Sequence, residues 1–537
     1  MDWPNRTQTM GRVLSPPPAA STWSVVLVAG MVGLAALALR VGLLGAQPEF
    51  DELYHLLAAR GWLETGQFRI LDGEYTRGAA YTRVVAWLME ATGQTNLEVA
   101  RLVSLVPGVL LPVAAFLWTR AVAGWLAGLM VAAFMVAWPQ GILEAQILRF
   151  YSAHVLLFFL GAISVYGAVA SAGPRRWVLA ALALAFFAMA TALQMTTVIG
   201  LLGIALWVTV YVVLSLEVSL ATRWRIAAAL VGAGLVGLGV AQVTGLLERA
   251  WAIYRFTPDH SVEVADYVAF YHNSLRQDYE TFWPIFPVAV LIGHFANPRL
   301  TWFCVSIFAT AFVLHSFGAM KANRYLSYAM PFFFTVWGVA IAALVPPALS
   351  WLQARGLRGG ALAAVLACIA GFAVLSNGLA ITSAKRALGS GFSGRGDWSE
   401  VRNLVGDWTD APFVATTREL HMAAFFGDYD ADLRAWAGWE AEYRPDQLFD
   451  RDWRTGRMVV RAPEGWDRLL ACQRDGLLVV ALDWWRSEEG ALLRDLAEAH
   501  GLTIDTRQER NVVVARWRDP QRIPAMCDGV PDSRAAG

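Results

Sequence analysis

Apolar segments long enough to cross a membrane recur along most of this chain and determine its fold class. The first, 23–44, contains Arg40 as its one charged residue and exceeds the ~20 residues that a helix needs to cross a bilayer. Hydropathy predicts about eleven such spans, at roughly 23–44, 99–119, 122–138, 152–172, 177–193, 196–215, 226–247, 283–296, 300–319, 326–345 and 361–383. We therefore predict a polytopic α-helical membrane protein.

The amino-acid composition agrees with this fold class and limits the kinds of partner that the protein is expected to bind. The chain is 57% hydrophobic and 16% charged, whereas soluble domains carry about 25% charged residues. Lys plus Arg equal Asp plus Glu at 43 each, so we predict membrane lipids and no nucleic acid as partners. No CxxC or His-Cys cluster indicates a metal site. We expect no required cofactor, and a divalent metal is possible but not indicated.

The distribution of arginine predicts the orientation, because cytoplasmic loops carry an excess of Lys and Arg. With the N-terminus inside, every short inside segment holds Arg, and together these segments hold Asp2 and Glu217 as their only acids. The inside arginines are Arg6, Arg12, Arg120, Arg175, Arg176, Arg223, Arg225, Arg299, Arg355 and Arg358. We therefore predict a cytoplasmic N-terminus and, with an odd number of spans, an outside C-terminal tail.

Three segments follow from these patterns: a cytoplasmic tail at 1–21, a membrane domain at 22–387 and a polar domain at 388–537. Outer loops are expected at 46–98, 139–151 and 248–282, and the first has helical periodicity at 52–63 and 79–89 that is typical of amphipathic surface helices. In the polar domain we predict strands at 412–416, 477–482 and 511–517 and helices at 398–408 and 490–500. This alternation favours an α/β fold. Whether Cys472 and Cys527 pair is left open.

Two adjacent carboxylates, Asp51 and Glu52, follow the first span. A carboxylate at a membrane surface can act as a general base toward an attacking hydroxyl or amine. Alternatively, Asp51 caps the surface helix, since Asp is a favoured N-cap. His55 lies one helical turn further on and could orient the acid, share a metal or bind substrate. A histidine on a surface helix is more often solvated, which argues against a metal role.

Two other outer segments carry charges that suit a phosphate-containing substrate. Glu144 and Arg149 precede Tyr151 at the start of the fourth span, and the segment 320–325 contains Lys321, Arg324 and Tyr325. Lys and Arg are usually concentrated on the cytoplasmic side, so cations at the outer end of a helix indicate a specific role. They suit a phosphate leaving group. The alternatives are headgroup wetting for Glu144 and Arg149, and snorkelling for Lys321 and Arg324.

Together these features resemble the GT-C superfamily of membrane glycosyltransferases, especially bacterial members similar to protein O-mannosyltransferases and lipid A aminoarabinose transferases. The features are the Asp-Glu pair after the first span, the Ala-Arg-Leu-x-Ser opening of the second span at 100–104, an acid ahead of Arg-Phe-Tyr, and the late Arg-Tyr. The resemblance covers roughly 20–340. It departs at 75–81, where many relatives have a Pro-rich stretch, and this leaves the acceptor open.

The resemblance implies a transferase that moves a sugar from a polyprenyl-phosphate donor to a glycan, lipid or protein acceptor. The reaction would take place on the outer face of the bacterial cytoplasmic (inner) membrane. Asp51 is the expected base, and the resemblance implies inversion at the anomeric carbon. Glu52 and Glu144 are expected to orient acceptor or sugar. Lys321 and Arg324 are expected to hold the phosphate, with Arg149, Tyr151, Tyr325 and His55 as further substrate-binding candidates. The alternative is a transporter or flippase for a lipid-linked substrate, which predicts internal repeats and ionisable residues at span midplanes.

Overall fold

The computed structural model describes residues 22–215, 219–243, 245–255, 266–354, 379–388, 398–433 and 448–521. Up to residue 388 the described chain is mostly helical, with one two-stranded hairpin. Its helices are α1 (Thr22–Arg40), α2 (Phe50–Thr65), α3 (Ala79–Thr92), α4 (Leu97–Ala123), α5 (Trp125–Val136), α6 (Pro139–Gln146), α7 (Tyr151–Ala170), α8 (Pro174–Leu193), α9 (Thr197–Ser215), α10 (Leu220–Val243), α11 (Leu246–Arg255), α12 (Phe270–Asp278), α13 (Phe286–Ala296), α14 (Pro298–Phe317), α15 (Met330–Ala354) and α16 (Leu379–Ala387). The hairpin strands are β1 (Arg69–Ile70) and β2 (Gly73–Glu74).

Six helices in the described part of the chain are long and apolar enough to cross a membrane. They are Thr22–Arg40, Leu97–Ala123, Tyr151–Ala170, Pro174–Leu193, Pro298–Phe317 and Ser327–Trp351. The bent pair of α5 and α6 brings the number to seven, and shorter apolar helices lie at Thr197–Tyr211 and Phe286–Ala296. The predicted total of eleven is therefore not confirmed, and most of the last predicted span, 361–383, lies outside the described residues.

The predicted third span, 122–138, corresponds to α5 and ends at a bend, after which α6 occupies part of the predicted outer loop at 139–151. Arg40 binds the end of α5 at this bend. The axes of α5 and α6 differ by 56°, because Pro139 starts α6 and the residue before a proline is driven out of the helical region. The buried Arg40 guanidinium donates to the carbonyl oxygens of Met135 at 2.9 Å and Val136 at 3.2 Å. It thereby satisfies carbonyls that the end of α5 leaves without helical partners.

The C-terminal part folds around one mixed sheet. Its strands are β3 (Val414–Thr416), β4 (Ala431–Asp432), β5 (Phe449–Arg451), β6 (Met458–Val460), β7 (Asp475–Ala481), β8 (Thr503–Glu509) and β9 (Val512–Arg518), in the order β5-β6-β4-β3-β7-β9-β8. The central strands β6, β4, β3 and β7 run parallel, and β5, β8 and β9 pair antiparallel at the edges. Its helices are α17 (Val401–Val405), α18 (Glu419–His421), α19 (Pro463–Cys472), α20 (Leu482–Trp485) and α21 (Glu488–Ala499).

This domain agrees with the predicted α/β fold. The three predicted strands correspond to β3, β7 and β9, and the helix predicted at 490–500 corresponds to α21. The helix predicted at 398–408 is instead a series of short turns around α17. Cys472 is disulfide-bonded, and Cys527 lies outside the described residues.

The sheet domain packs directly on the segment between α1 and α4, which the sequence predicts to be the first outer loop. Arg457 forms ion pairs with Asp72 of the β1–β2 turn and with Asp428, and Arg454 contacts the Tyr54 hydroxyl of α2. Next to them, a Cβ added at Gly73 would lie 2.3 Å from the Arg454 carbonyl carbon. Only glycine allows this approach of the two backbones.

The prediction that α2 is an amphipathic surface helix is wrong. Residues 52–59 are all buried, since membrane helices cover one side of α2 and the sheet domain contacts the other. The predicted boundaries are nearly correct, because the helices predicted at 52–63 and 79–89 correspond to α2 and α3. Hydrophobic periodicity therefore located these helices but not what covers them.

Candidate active site

Asp51 lies in the first turn of α2, with its side chain 33% exposed. Its carboxylate forms an ion pair with the Arg149 guanidinium at 3.3 Å, and the same guanidinium donates to the Asp51 backbone oxygen at 3.1 Å. The alternative that Asp51 is the N-cap is wrong, because Glu49 occupies that position. Asp51 therefore presents a partly exposed carboxylate that is oriented by a buried cation.

Glu52 is fully buried and bonded to protein through both oxygens. Oε1 accepts from Arg101 Nε at 2.8 Å and from the Leu148 amide at 2.5 Å. Oε2 accepts from Arg101 Nη2 at 2.7 Å and from the Glu49 amide at 2.7 Å. Glu52 thus joins α2 to α4 and to the segment between α6 and α7, and a substrate would have to displace one of these bonds to reach it.

Arg101, the partner of Glu52, also binds the backbone that follows the first span. Its Nη1 donates to the carbonyl oxygens of Leu43, Leu44 and Ala46 at 2.7–3.1 Å. A buried charge is tolerated when it is paired and hydrogen-bonded in this way. Because Glu52 is adjacent to Asp51, and Leu148 to Arg149, the Glu52–Arg101 pair sets the relative position of the two groups that face each other at the site.

His55 is buried below Asp51 and not solvated. Its Nδ1 shares a 2.9 Å hydrogen bond with Thr82 Oγ1, and the ring packs edge-on against Tyr75, Tyr81 and Phe150. Burial, with the positive charges of Arg149 and Arg77, lowers the pKa of His55 well below its usual range. The imidazole is therefore neutral and supports the aromatic packing beneath the site.

No metal centre is formed around His55 in the part of the chain that the structure describes. There, no three side chains of His, Cys, Asp or Glu are grouped so that they could hold an ion. The immediate neighbours of His55 are aromatic rings and a hydroxyl, which do not form the ligand set of a zinc or magnesium site.

Two arginines converge on the Tyr151 ring. The guanidinium carbon of Arg149 lies 5.5 Å from the ring centroid and that of Arg324 lies 5.7 Å from it. Arg324 is also 5.5 Å from the Tyr325 ring. Within the described residues, the buried Nε atoms of both arginines have no hydrogen-bond partner. Two like charges this close together favour an anion between or beside them.

Glu144 belongs to the same group of residues. It is buried at the end of α6, and its Oε1 accepts from Ser327 Oγ at 2.5 Å and from Gln140 Nε2 at 3.0 Å. It interacts electrostatically with Arg324, which in turn interacts with Asp51. The structure thus brings four predicted residues together, although they are far apart in the sequence: Asp51, Glu144, Arg149 and Arg324.

Lys321 is placed differently. Its ammonium group donates to the carbonyl oxygen of Gly318, three residues earlier, and its charge interacts with Asp266. Lys321 therefore acts on the carboxyl end of α14 and contributes less to the group around Tyr151 than the sequence predicts.

Two residues at the site were not singled out from the sequence. Arg77 acts electrostatically on His55, Tyr75 and Tyr325, and so extends the positive field around the tyrosines. Arg77 lies in the segment 75–81 that departs from the Pro-rich pattern. A cation in an outer loop, against the inside bias, was a signal that could have identified it. Ser327 has no comparable signal in the sequence.

The fold is similar to solved structures, while the sequence matches no family model and no curated protein. ArnT from Cupriavidus metallidurans bound to undecaprenyl phosphate aligns with 15% identity and a TM-score of 0.59, over 95% of this chain and 100% of that chain. The archaeal oligosaccharyltransferase AglB from Archaeoglobus fulgidus, in complex with an inhibitory peptide and a dolichol-phosphate, aligns with 12% identity and a TM-score of 0.56, over 94% and 75%.

Identities this low establish the fold and not the activity. The match nevertheless extends over nearly the whole chain and includes the sheet domain as well as the membrane helices. The resemblance inferred from the sequence is thereby confirmed at the level of the fold, because this chain shares its fold with ArnT and AglB.

Proposed function

We propose that this protein is a membrane glycosyltransferase that moves a sugar from a polyprenyl-phosphate donor to an acceptor at the outer face of the cytoplasmic membrane. The observation that carries the proposal is the placement of Asp51 beside Arg149, with Arg149 and Arg324 around Tyr151. A transferase of this kind needs a base for the acceptor and cations for the phosphate. This site has both on one GT-C fold.

The structural neighbours support the class of donor. The ArnT structure contains undecaprenyl phosphate, and the AglB structure contains a dolichol-phosphate. Both ligands are long isoprenoid chains that end in phosphate. A positively charged group at the outer ends of apolar helices suits such a ligand, since its tail can stay in the bilayer while its phosphate reaches the cations.

Arg149 and Arg324 are the better candidates for the phosphate. Both have Nε–H groups without partners among the described residues, and a guanidinium can bind phosphate through two parallel hydrogen bonds. Lys321 is assigned a supporting role because Gly318 already accepts from it. This changes the order predicted from sequence, in which Lys321 preceded Arg149.

The reaction follows from these positions. Asp51 takes the proton from the acceptor hydroxyl or amine as that atom attacks the anomeric carbon. The new bond to the anomeric carbon forms while the bond to the phosphate oxygen breaks, and the electron pair leaves with the polyprenyl phosphate. Arg149 and Arg324 stabilise the charge that develops there. A single displacement of this kind inverts the anomeric carbon.

Glu52 and Glu144 take different parts in this scheme. Glu52 is a positioning residue that holds Asp51 and Arg149 through Arg101 and Leu148. Glu144 stands next to Arg324, and we propose that it orients the sugar or the acceptor. The two arginines pack against Tyr151 and Tyr325. His55 packs on Phe150, which in turn contacts Tyr151.

Removing Arg324 should weaken donor binding selectively. Arg324→Ala is expected to lower the affinity for undecaprenyl phosphate about tenfold or more, since a hydrogen bond to a charged group contributes about 1.5–3 kcal/mol. Lys321→Ala is the matched control and should change the affinity by much less. Titration of the purified proteins with fluorescent undecaprenyl phosphate measures both. Equal losses of affinity in the two variants would indicate that Lys321 binds the phosphate as strongly as Arg324 does.

The orientation can be tested with single cysteines on the described surface. Glu498→Cys, in α21 of the sheet domain, should react with a membrane-impermeant maleimide in intact cells. Ala172→Cys, between α7 and α8, should react only after the cells are opened, because the neighbouring arginines predict an inside loop. The parent chain provides the background. The opposite pattern would place Asp51 in the cytoplasm and exclude an outer-face reaction.

A further inference from the structure

A cleft of about 590 Å³ opens between the start of α2 and the sheet domain. One wall is the segment 48–51, which ends at Asp51. The other wall comes from the sheet domain and includes Arg418, His421, Asp483 and Arg486. The cleft therefore places groups of the sheet domain opposite the proposed base.

The sheet-domain wall lies at the carboxyl ends of two neighbouring parallel strands. β3 and β7 pair in parallel. Arg418 follows β3 by two residues, and Arg486 follows the short helix α20 that begins directly after β7. Ligands of α/β sheets bind in the crevice at this end of the strands. The position is therefore suited to binding, and no part of the proposed donor site occupies it.

The cations of the cleft are available to a ligand, whereas its acids are engaged. Arg418 and Arg486 are exposed, and within the described residues their guanidinium groups form no ion pair or hydrogen bond with protein. Asp51 is paired with Arg149, and Glu49 belongs to the capping box of α2. Asp483 accepts from the Trp484 amide at 2.9 Å. Among the charged side chains of the cleft, Arg418 and Arg486 therefore offer donors to a ligand.

Aromatic rings from both walls meet in the same cleft. Phe50 stacks on His421 with ring centroids 6.2 Å apart, and His421 packs on Trp398 at 5.1 Å. Flat apolar faces of this kind can pack against the C–H face of a sugar ring. The cleft therefore combines a surface for a carbohydrate with two cations.

We propose that this cleft is the acceptor site and that Arg418 and Arg486 bind a phosphate or carboxylate group on a carbohydrate acceptor. This inference rests on the proposed function, because it directs the nucleophile of the acceptor toward Asp51. It adds the substrate class: the acceptor carries a negative charge that the sheet domain recognises. Phosphate and carboxylate both suit guanidinium groups, which bind planar anions bidentately.

Arginine footprinting tests the anion site on the full chain. The purified protein, in phosphatidylcholine nanodiscs, is treated with phenylglyoxal in the presence of glucose 6-phosphate, glucuronic acid or glucose, and modification is read by mass spectrometry. Glucose 6-phosphate or glucuronic acid should protect Arg418 and Arg486, and glucose should not. Arg468, which is exposed on α19, is the internal control and should react equally in all samples.

A parallel sample in phosphatidylglycerol nanodiscs distinguishes the source of the anion. Protection of Arg418 and Arg486 there without any sugar would support the anion site and assign it to a lipid headgroup. Protection by the charged sugars alone assigns it to a carbohydrate. Equal protection by glucose, or no protection in any sample, would overturn the proposal.

Variants provide the second measurement. The double change Arg418→Ala and Arg486→Ala should weaken binding of glucose 6-phosphate about tenfold or more, whereas Arg468→Ala should not. Unchanged affinity in the double variant would also overturn the proposal. Binding of undecaprenyl phosphate is measured on the wild-type protein in parallel. If the wild-type protein does not bind undecaprenyl phosphate, the proposed donor is wrong. The protection of Arg418 and Arg486 still decides whether the cleft binds an anion.

Discussion

Asp51→Asn is expected to reduce sugar transfer by about 10²–10⁴-fold, the usual contribution of a general base. The amide keeps the size of the side chain and can still accept a hydrogen bond from Arg149. It cannot take the proton from the acceptor. The effect should fall on the turnover number, because the phosphate contacts of Arg149 and Arg324 are retained, and it is measured as transfer from a polyprenyl-phosphate sugar under saturating donor.

The matched control for this variant is Glu74→Gln. Glu74 is an exposed acid of the same outer loop, and the chemical change is the same. Its turnover should equal that of the wild type. If Asp51→Asn transferred sugar at the wild-type rate while it bound undecaprenyl phosphate normally, Asp51 would not be the base.

Glu52→Gln is expected to have the largest effect on stability. It leaves the Arg101 guanidinium buried without its counter-charge, and breaking a buried ion pair from one side costs about 3–5 kcal/mol. The same change loosens the Leu148 amide and the start of α2, so that activity should fall together with the free energy of unfolding. Urea denaturation in detergent, followed by tryptophan fluorescence, measures the stability.

Glu64→Gln provides the comparison on the same helix. Glu64 is exposed near the end of α2, and substitutions at such surface positions usually change stability by less than about 0.5 kcal/mol. A Glu52→Gln protein as stable as the Glu64→Gln protein would show that the buried pair is not required. That result would instead favour the role predicted from the sequence, in which Glu52 orients the acceptor or the sugar.

The charges at the site could be predicted from the sequence, but their partners could not. Asp51 and Arg324 stand out because charged groups at outer helix ends need a reason to be there. The roles of Glu52 and Arg101 are decided by a contact across 49 residues, and no local pattern contains that information. Two adjacent acids therefore look equivalent in the sequence and have different surroundings in the fold.

In the sheet domain, too, only part of the structure could be predicted from the sequence. β7 and β9 are apolar runs and were predicted, whereas β8 has the sequence TIDTRQE and lies mostly exposed at the edge of the sheet. An edge strand needs no apolar face when its neighbour supplies the hydrogen bonds. β4 has two residues and is defined only by its pairing with β3 and β6, so hydrophobic periodicity could not reveal it.

The contacts of Arg454 and Arg457 with the first outer loop have a consequence for the order of biosynthesis. Tyr54 and Arg454 are 400 residues apart in the chain, and Asp72 and Arg457 are 385 apart. The loop that begins with Asp51 leaves the ribosome long before Arg454 and Arg457, the residues that bind it. We therefore expect this loop to reach its final geometry only after the sheet domain has been synthesised and has folded against it.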